Sequence, residues 1–365
     1  MQNPLLTIFK QISSIVWGPP MLVLLVGTGI YLTAKLKWRT LRKIPLAFKL
    51  IFSKDSDNLE GDVSGFSALA TALSATIGTG NIAGVATAIA IGGPGATVWM
   101  WIAALFGIAT KFAEGTLAVK YRIKNDEGEM SGGPMYYIEK GLGEKWKPLA
   151  IFFAFCGIVV SYFGIGATVQ ANSMADALQT NFGIPVWGTG LILAFLIGIV
   201  VLGGIKRIAG VASKIVPLMS AIYILSVLYI IFTNIGELPA ALNLILKSAF
   251  NGQAATGGFA GATIMMAIRK GISRGVFSNE AGVGSAAIAH ASAQTSDPVR
   301  QGMIAMTGTF IDTILVCTLT TLAIVVTGVW DSGLTGAALT SQAFAEGIPG
   351  PGGFIIGIGI IFFAY

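Results

Sequence analysis

The chain has 365 residues, of which 54% are apolar and only 11% are charged, and its mean hydropathy is +0.77. That much apolar surface exceeds what the core of a soluble domain needs, which argues against a soluble single-domain protein. The formal charge of +6 does not indicate a nucleic-acid-binding protein, because the basic residues lie in loops between apolar segments.

Nine apolar segments are candidates for membrane-spanning helices, since about 20 such residues cross the hydrocarbon core of a bilayer. They cover residues 19–34, 66–91, 97–119, 149–178, 186–202, 215–233, 259–291, 303–328 and 353 onward. No signal-peptide pattern opens the chain, so we expect the first span to be retained. The ninth span stops at the end of the sequence.

Basic residues follow alternate spans. Seven Lys or Arg residues follow the first span, six the third, three the fifth and one the seventh. The positive-inside rule places these loops in the cytoplasm and the N-terminus outside the cell. A surface for anionic lipid or nucleic acid is the alternative, but orientation already explains the pattern, so the lipid bilayer is an expected partner and nucleic acid is not.

The second span contains a glycine-rich interruption, Gly78-Thr79-Gly80-Asn81, about 20 Å from one membrane face. An unwound segment inside the bilayer is tolerated where it lines a cavity or binds a ligand. The new helix start would offer amides to a carboxylate, and freed carbonyls would suit a cation. Alone, the motif is equally typical of helix packing.

The seventh span carries a second interruption, residues 275–285, with Ser278, Asn279 and Glu280 inside an apolar segment. Paired interrupted helices in corresponding positions of two halves indicate a transporter's binding site. Spans 2 to 6 make five helices, and span 7 begins a second set. We therefore expect an N-terminal helix and basic cytoplasmic loop at 1–65, a first five-helix repeat at 66–233 and an inverted second repeat at 234–365.

Charged residues inside spans are costly and usually functional. Asp312, about 15 Å into span 8, is expected to coordinate a cation or balance charge; a hydrogen bond to Thr309 or Thr313 is the structural alternative. Glu280 is expected to brace the second break, by accepting backbone amides or by pairing with Arg274 or Arg269.

Four other polar residues have two interpretations each. Lys111 and Glu114 share a helix face and form a structural pair or an inner gate. Gln170 contacts substrate or bridges helices. His290 is interpreted as an interfacial residue, with proton relay as the alternative.

Cys156 and Cys317 each lie within an apolar span, so we predict no disulfide. With a single histidine in the chain, a multi-histidine metal site is excluded.

Four segments together resemble the alanine or glycine:cation symporter family, the sodium:alanine symporters of bacteria and archaea. The most specific is the glycine- and tryptophan-rich segment 92–107 (GGPGATVWMWIAALFG), and the others are 132–137 (GGPMYY), 277–285 (FSNEAGVGS) and 297–302 (DPVRQG). The resemblance covers essentially the whole chain.

The resemblance implies an all-α polytopic membrane protein with a leucine-transporter-like fold. That fold is an inverted five-helix repeat, here with an extra N-terminal helix, in which spans 2 and 7 are the broken helices. Relatives have about eleven helices, so the second repeat is expected to be incomplete in this chain, with part of the site beyond Tyr365.

The resemblance also implies roles for site residues. In the first break, Gly78, Thr79 and Gly80 would receive the substrate carboxylate and Asn81 would help to hold sodium. The remaining substrate-binding residues implied are Gln170 on the flanking helix and Phe277, Ser278, Asn279 and Gly282 in the second break. Thr76 and Asp312 occupy sodium-side positions.

The function that follows is sodium-coupled import of a small neutral amino acid, alanine and also glycine or D-alanine, by alternating access. Sodium is co-transported, and no organic cofactor, enzyme activity or obligate oligomer is expected, so the protein would work as a monomer in a prokaryotic cell membrane. Proton coupling or a broader neutral amino-acid range is the nearest alternative. A channel or an amino-acid sensor is a further alternative, and a membrane enzyme is the weakest, because no nucleophile and base stand together.

Overall fold

The computed structural model describes residues 15–53, 60–163, 165–251, 264–350 and 352–364, together with residues 7, 9, 11 and 12. Nearly all of the described chain is helical, as expected where lipid offers no hydrogen-bonding partner to the backbone. A short antiparallel hairpin, β1 (Ile123–Lys124) with β2 (Met130–Ser131), pairs Ile123 with Ser131.

The helices follow one another with short connections. In the first half they are α1 (Pro19–Lys35), α2 (Arg39–Arg42), α3 (Ile44–Ile51), α4 (Gly65–Thr76), α5 (Val85–Gly92), α6 (Ala96–Lys120), α7 (Pro134–Leu142), α8 (Lys147–Phe163) and α9 (Ile165–Phe182). In the second half they are α10 (Val186–Val201), α11 (Gly204–Thr233), α12 (Leu238–Phe250), α13 (Ile264–Asn279), α14 (Ser285–Ala291), α15 (Pro298–Thr309), α16 (Thr318–Val326), α17 (Gly336–Gly347) and α18 (Gly352–Ala364).

Among the described residues, four helical stretches are long and apolar enough to cross a membrane. They are Ala96–Lys120, Glu144–Phe163, Gly204–Thr233 and Pro298–Val326. A fifth span results if the bent pair Gly65–Thr76 and Gly80–Gly92 is counted as one. Three shorter apolar helices, Pro19–Lys35, Val186–Val201 and Gly352–Phe363, coincide with predicted spans 1, 5 and 9. The chain is therefore a multi-pass α-helical membrane protein.

One predicted span differs from the structure. The span expected at 149–178 is helical on both sides of Gly164, in α8 and α9, and Gly164 itself lies outside the described residues. The span expected at 215–233 begins at Gly204, so three basic residues assigned to a loop lie on α11: Lys206, Arg207 and Lys214. These side chains are exposed, because long basic side chains favour helix and can extend toward water from a helix end.

The first predicted break is present between α4 and α5. The α-helix ends at Thr76, extended backbone follows at Ile77, and a wider π-helical turn covers Gly80–Gly84. The two halves are bent by 50° relative to each other. Span 2 is therefore a broken helix, with α4 and α5 as its halves.

The second break separates α13 from α14, as the glycine-rich sequence predicts; residues 259–263 of that predicted span lie outside the described part. Backbone φ is +53° at Glu280, +94° at Gly282 and +88° at Gly284. Glycine adopts this left-handed region freely. Reversals at three nearby positions stop the helix and separate its two halves.

A third irregularity lies in the predicted eighth span, which runs from Pro298 to Val326. Between α15 and α16, the residues Phe310–Cys317 form a π-helical stretch. Such wide turns in a helix are often found at functional sites. Asp312 and Thr313 lie in this stretch, fully buried.

The start of the first broken span, ahead of α4, and the end of the second, beyond α14, are joined by contacts outside the helices. Val63 forms a parallel backbone bridge with Ala293, and Gln294 N–H donates to the Val63 carbonyl over 2.7 Å. Arg122, just beyond α6, donates to four carbonyls over 2.6–2.9 Å: those of Glu60, Ala291, Ala293 and Thr295. Burial lowers the pKa of Arg122, while Glu60 and Asp62 oppose that shift. We call Arg122 and its four carbonyls the arginine latch.

Candidate substrate and ion site

Asn81 joins the first break to the rest of the site. Its side chain is fully buried, and Oδ1 accepts the Gly78 N–H at 2.9 Å, which fixes the unwound turn. Its Nδ2 lies 2.7 Å from Asp312 Oδ1 and 3.0 Å from Ser278 Oγ. One amide therefore connects three interrupted helical segments.

More acceptors surround Asn81 Nδ2 than its two hydrogens can serve. Besides Asp312 Oδ1 and Ser278 Oγ, the Asp312 carbonyl lies at 3.2 Å and the Cys317 sulfur at 3.4 Å. Oxygen atoms thus converge on one point inside a buried region. Oxygen donors of this kind are the ligands that hard cations use.

Asp312 is held on both sides. Asn81 donates to one carboxylate oxygen, and Thr313 Oγ1 donates to the other at 2.7 Å. Asn279 extends the network, because its Nδ2 donates to Thr313 Oγ1 at 3.1 Å. The predicted alternative, a hydrogen bond from a threonine, is therefore present at Thr313, whereas the Thr309 hydroxyl has no partner among the described residues.

Gln170 of α9 lies against the first break. A Cβ built on Gly78 would be 2.8 Å from Gln170 Nε2, so a side chain at this position would displace the Gln170 amide. At Gly80 a built Cβ meets nothing within 4 Å, so there is room beside the turn. Thr79, between the two glycines, is buried. Gln170 thus packs against the unwound turn at Gly78, and the open space lies beside Gly80.

Three of the predicted residues lie apart from this network. The Thr76 hydroxyl contacts carbonyls of its own helix, at 3.4 Å. Phe277 is 44% exposed and packs against Trp17 and under Arg274. Gly282 donates its amide to Glu114 and faces α1. The structure brings together Gly78, Asn81, Ser278, Asn279 and Asp312, with Gln170 alongside.

Comparison with known proteins identifies the family of this chain. The model of the sodium:alanine symporter family matches residues 2–365. The chain belongs to the sodium:alanine symporter family. The identification made from the four sequence motifs is confirmed, and the chain is a transporter rather than an enzyme.

Three relatives show the range of the family. The symporter is 52% identical over 98% of its length to the sodium/alanine symporter AgcS of Methanococcus maripaludis, covering 80% of that protein. It is 41% identical to a putative sodium/proton-dependent alanine carrier of Bacillus subtilis, with 97% and 74% of the two chains covered. It is 38% identical to the probable sodium/glutamine symporter of the same organism, with 100% and 75% covered. Cation-coupled amino-acid transport is the shared activity.

Glu114 of this symporter binds the backbone of the second break, a role that was not predicted from the sequence. Its Oε1 accepts the amides of Gly282 and Gly284 at 3.0 and 3.1 Å. Lys111 Nζ lies 3.9 Å from the other carboxylate oxygen and donates to the Glu280 carbonyl at 3.3 Å. The predicted Lys111–Glu114 pair therefore exists and holds the unwound segment 280–284. We call these two residues the carboxylate clasp.

Glu280 and His290 differ from their predicted environments. Glu280 accepts a hydrogen bond from Ser285 and forms no ion pair with Arg274 or Arg269. Glu114 accepts the backbone amides instead, because it reaches the break from a neighbouring helix. His290 is buried, not interfacial, and its Nδ1 lies 2.7 Å from Gln301 Nε2. The helix that carries it, α14, packs mainly against α6 and α4.

Proposed function

We propose that this symporter imports a small neutral amino acid, alanine or a close analogue, together with sodium, by alternating access. The observation that carries the proposal is Asn81, whose amide joins both broken spans to the buried Asp312. A ligand that changes the position of Asn81 changes the contact between all three segments. Such a group suits a site where two ligands must bind together before the protein moves.

The substrate side of the proposed site is the first break. Backbone amides at Thr79 and Gly80, at the start of the outer half-helix, suit a carboxylate, because such amides lack intrahelical partners. Gly78 lets Gln170 approach. Phe277, Ser278, Asn279 and Gly282 would complete the substrate side from the second break.

The sodium side of the proposed site lies at Asp312. A carboxylate and the hydroxyl of Ser278 stand within hydrogen-bonding distance of Asn81 in a buried region. We propose Asp312, Asn81 and Thr76 as sodium-side residues. The Thr76 hydroxyl contacts carbonyls of its own helix as a donor, which leaves its oxygen lone pairs available as acceptors.

The proposal includes a leucine-transporter-like arrangement. Residues 66–233 would form the first repeat and 234–365 an incomplete inverted second repeat, preceded by an N-terminal segment at 1–65. The two breaks, in α4/α5 and α13/α14, support this pairing. The protein would act as a monomer in a prokaryotic cell membrane with its N-terminus outside.

The driving force is sufficient for uptake. One charge moving through 100 mV contributes about 2.3 kcal/mol. That corresponds to roughly 50-fold accumulation, since each 1.4 kcal/mol is a factor of ten.

The test is uptake of labelled alanine into proteoliposomes with and without a sodium gradient. Asn81→Ala should abolish the sodium-dependent component, because the link between the breaks and Asp312 is lost. Asn251→Ala, at an exposed asparagine beyond α12, should transport normally. Normal sodium stimulation of the Asn81 variant would overturn the site assignment.

Two relatives favour a specific second candidate. The names of the Bacillus carriers mention protons in one case and glutamine in the other, so proton coupling or a broader substrate range is the alternative. Replacing sodium by choline under a pH gradient tests the first. Competition by glycine, serine, D-alanine and glutamine tests the second. Counterflow of labelled alanine would argue against a channel or a sensor.

A further inference from the structure

A cleft of about 770 Å³ lies between α5, α13 and residues ahead of α1. Its charged lining residues are all basic: Arg269, Lys270 and Arg274. Two hydroxyls, those of Thr87 and Ser273, lie among them, and no aspartate or glutamate belongs to the described lining. We call this the basic cleft. It presents positive charge and hydrogen-bond donors to whatever enters.

Arg274 differs from the other two basic residues. Arg269 and Lys270 are exposed, whereas Arg274 is half-buried. Its guanidinium lies so close to Gly84 that a Cβ there would overlap it. It also stacks over the Phe277 ring, 5.1 Å from the centroid. These contacts fix its position without using its N–H donors.

Those donors have no acceptor in the part of the chain that the structure describes. The ion pairs found there are Lys111–Glu114 and Lys147–Glu139, and no hydrogen bond from Arg274 is present. A guanidinium has five N–H groups, and none of those of Arg274 is among the buried polar atoms without a partner in the described part of the chain, so they are open to the cleft. An acceptor that enters the cleft can therefore reach them, and the basic lining favours a negatively charged one.

We propose that the basic cleft binds a small monovalent anion, a carboxylate or a halide, against Arg274. A carboxylate would use the planar fork of the guanidinium in a bidentate contact. A halide would use the positive field and the hydroxyls of Thr87 and Ser273.

This anion site is distinct from the Asn81–Asp312 centre of the proposed transport site, although Phe277, a proposed substrate-side residue, also lines the cleft. Asn81 and Asp312 are fully buried and do not line the cleft. The cleft borders α5 and α13, the halves of the broken spans predicted to face outward. Anion binding does not require the proposed function, since it can be measured on purified protein without any gradient.

The experiment is a titration of the detergent-purified chain with choline chloride and, separately, choline acetate, so that sodium stays absent, followed by tryptophan fluorescence. Trp17 lines the cleft and reports occupancy, so Trp17→Phe should remove the saturable signal. Arg42→Gln, at an exposed arginine on α2, reports the general effect of ionic strength and should match the unmodified protein.

Arg274→Gln should raise the half-saturating concentration about tenfold or more, the range expected for lost hydrogen bonds to a charged group. Arg274→Lys should weaken acetate more than chloride, because lysine keeps the charge and loses the fork. If the glutamine variant aggregates during size-exclusion chromatography, the lysine variant and the unmodified protein decide. A non-saturable response of the unmodified protein, or an unchanged glutamine variant, would overturn the proposal.

Competition between chloride and L-alanine shows which kind of anion binds in the basic cleft. In an Asn81→Ala background, a shift of the chloride midpoint by L-alanine identifies an amino-acid carboxylate as a ligand. Saturation by chloride without competition from alanine identifies a halide. If neither chloride nor acetate saturates in that background, the anion effect comes from the Asn81 site and the proposal is wrong. Uptake by Asn81→Ala tests the proposed function separately.

Discussion

At the scale of single residues, Glu114 makes contacts that its sequence position alone does not predict. It accepts two backbone amides of the second break and faces Lys111. Both side chains of the carboxylate clasp are nearly inaccessible, at 4% and 8% exposure. Breaking a buried pair leaves an uncompensated charge, which usually costs about 3–5 kcal/mol.

Glu114→Gln should therefore lower the apparent melting temperature and reduce alanine uptake, because an amide oxygen holds the second break less strongly than a carboxylate does and Lys111 loses its charged partner. Glu139→Gln is the control, since its ion pair with Lys147 is exposed and contributes little. Adding Lys111→Met to Glu114→Gln should cost less than the sum of the two single changes. Strict additivity of the melting shifts would show that the two residues do not act together.

The site residues differ in how well their sequence could predict them. Asn81 and Ser278 follow from glycine-rich interruptions, which are local signals, and the structure brings them together. The partners of Glu114 are 168 and 170 residues away along the chain. Such a contact depends on how α6 packs against the broken span, and no local pattern encodes it. The i,i+3 spacing with Lys111 was the available signal.

At the scale of elements, the second break depends on backbone that only glycine adopts easily. Gly284 has φ of +88°, and a Cβ there would overlap Pro134 at the start of α7. Gly328 has φ of +75° with nothing within 4 Å of a built Cβ. Both positions require left-handed backbone, but only Gly284 packs closely against a neighbouring residue.

Gly284→Ala should lower the apparent melting temperature more than Gly328→Ala. Both pay about 1–2 kcal/mol for the left-handed backbone, and only the first adds a clash with α7. Gly284→Ala should also reduce uptake, because it moves the segment held by Glu114. Equal melting shifts for the two variants would mean that α7 yields without cost.

The positions of the membrane-spanning helices could be predicted from hydrophobicity where the length of the apolar segment and the placement of the charged residues agreed. The breaks at residues 77–79 and 280–284 were predictable because two glycine-rich interruptions stand in corresponding positions of two apolar spans. The start of α11 was not, since three basic residues resemble a loop but extend from the helix surface. The π-helical stretch Phe310–Cys317 has no glycine or proline to mark it. What distinguishes it in the structure is the long-range contact of Asp312 with Asn81, which no local pattern predicts.

At the scale of the whole molecule, orientation is the property that a labelling experiment settles directly. Basic loops predict that the β1–β2 hairpin lies in the cytoplasm and that the loop after α16 lies outside. Glu127 and Ser332 are exposed positions in these two places.

In a Cys156→Ala background, Ser332→Cys should react with a membrane-impermeant maleimide on intact cells. Glu127→Cys should react only after the membrane is permeabilised. Cys317 is buried and should stay unlabelled in both. The reverse pattern would invert the topology and place the basic cleft on the cytoplasmic side.

The arginine latch has a consequence for how fast such a protein can cycle. A charged donor contributes about 1.5–3 kcal/mol per hydrogen bond, and Arg122 makes four of them across the ends of both broken spans. Any movement that separates those ends must break these bonds, so the latch stabilises the joined state and raises the activation barrier for leaving it. The turnover number would then depend on Arg122, which contacts neither the proposed substrate site nor the proposed sodium site. Lysine could not replace it, because lysine lacks the planar fork of the guanidinium.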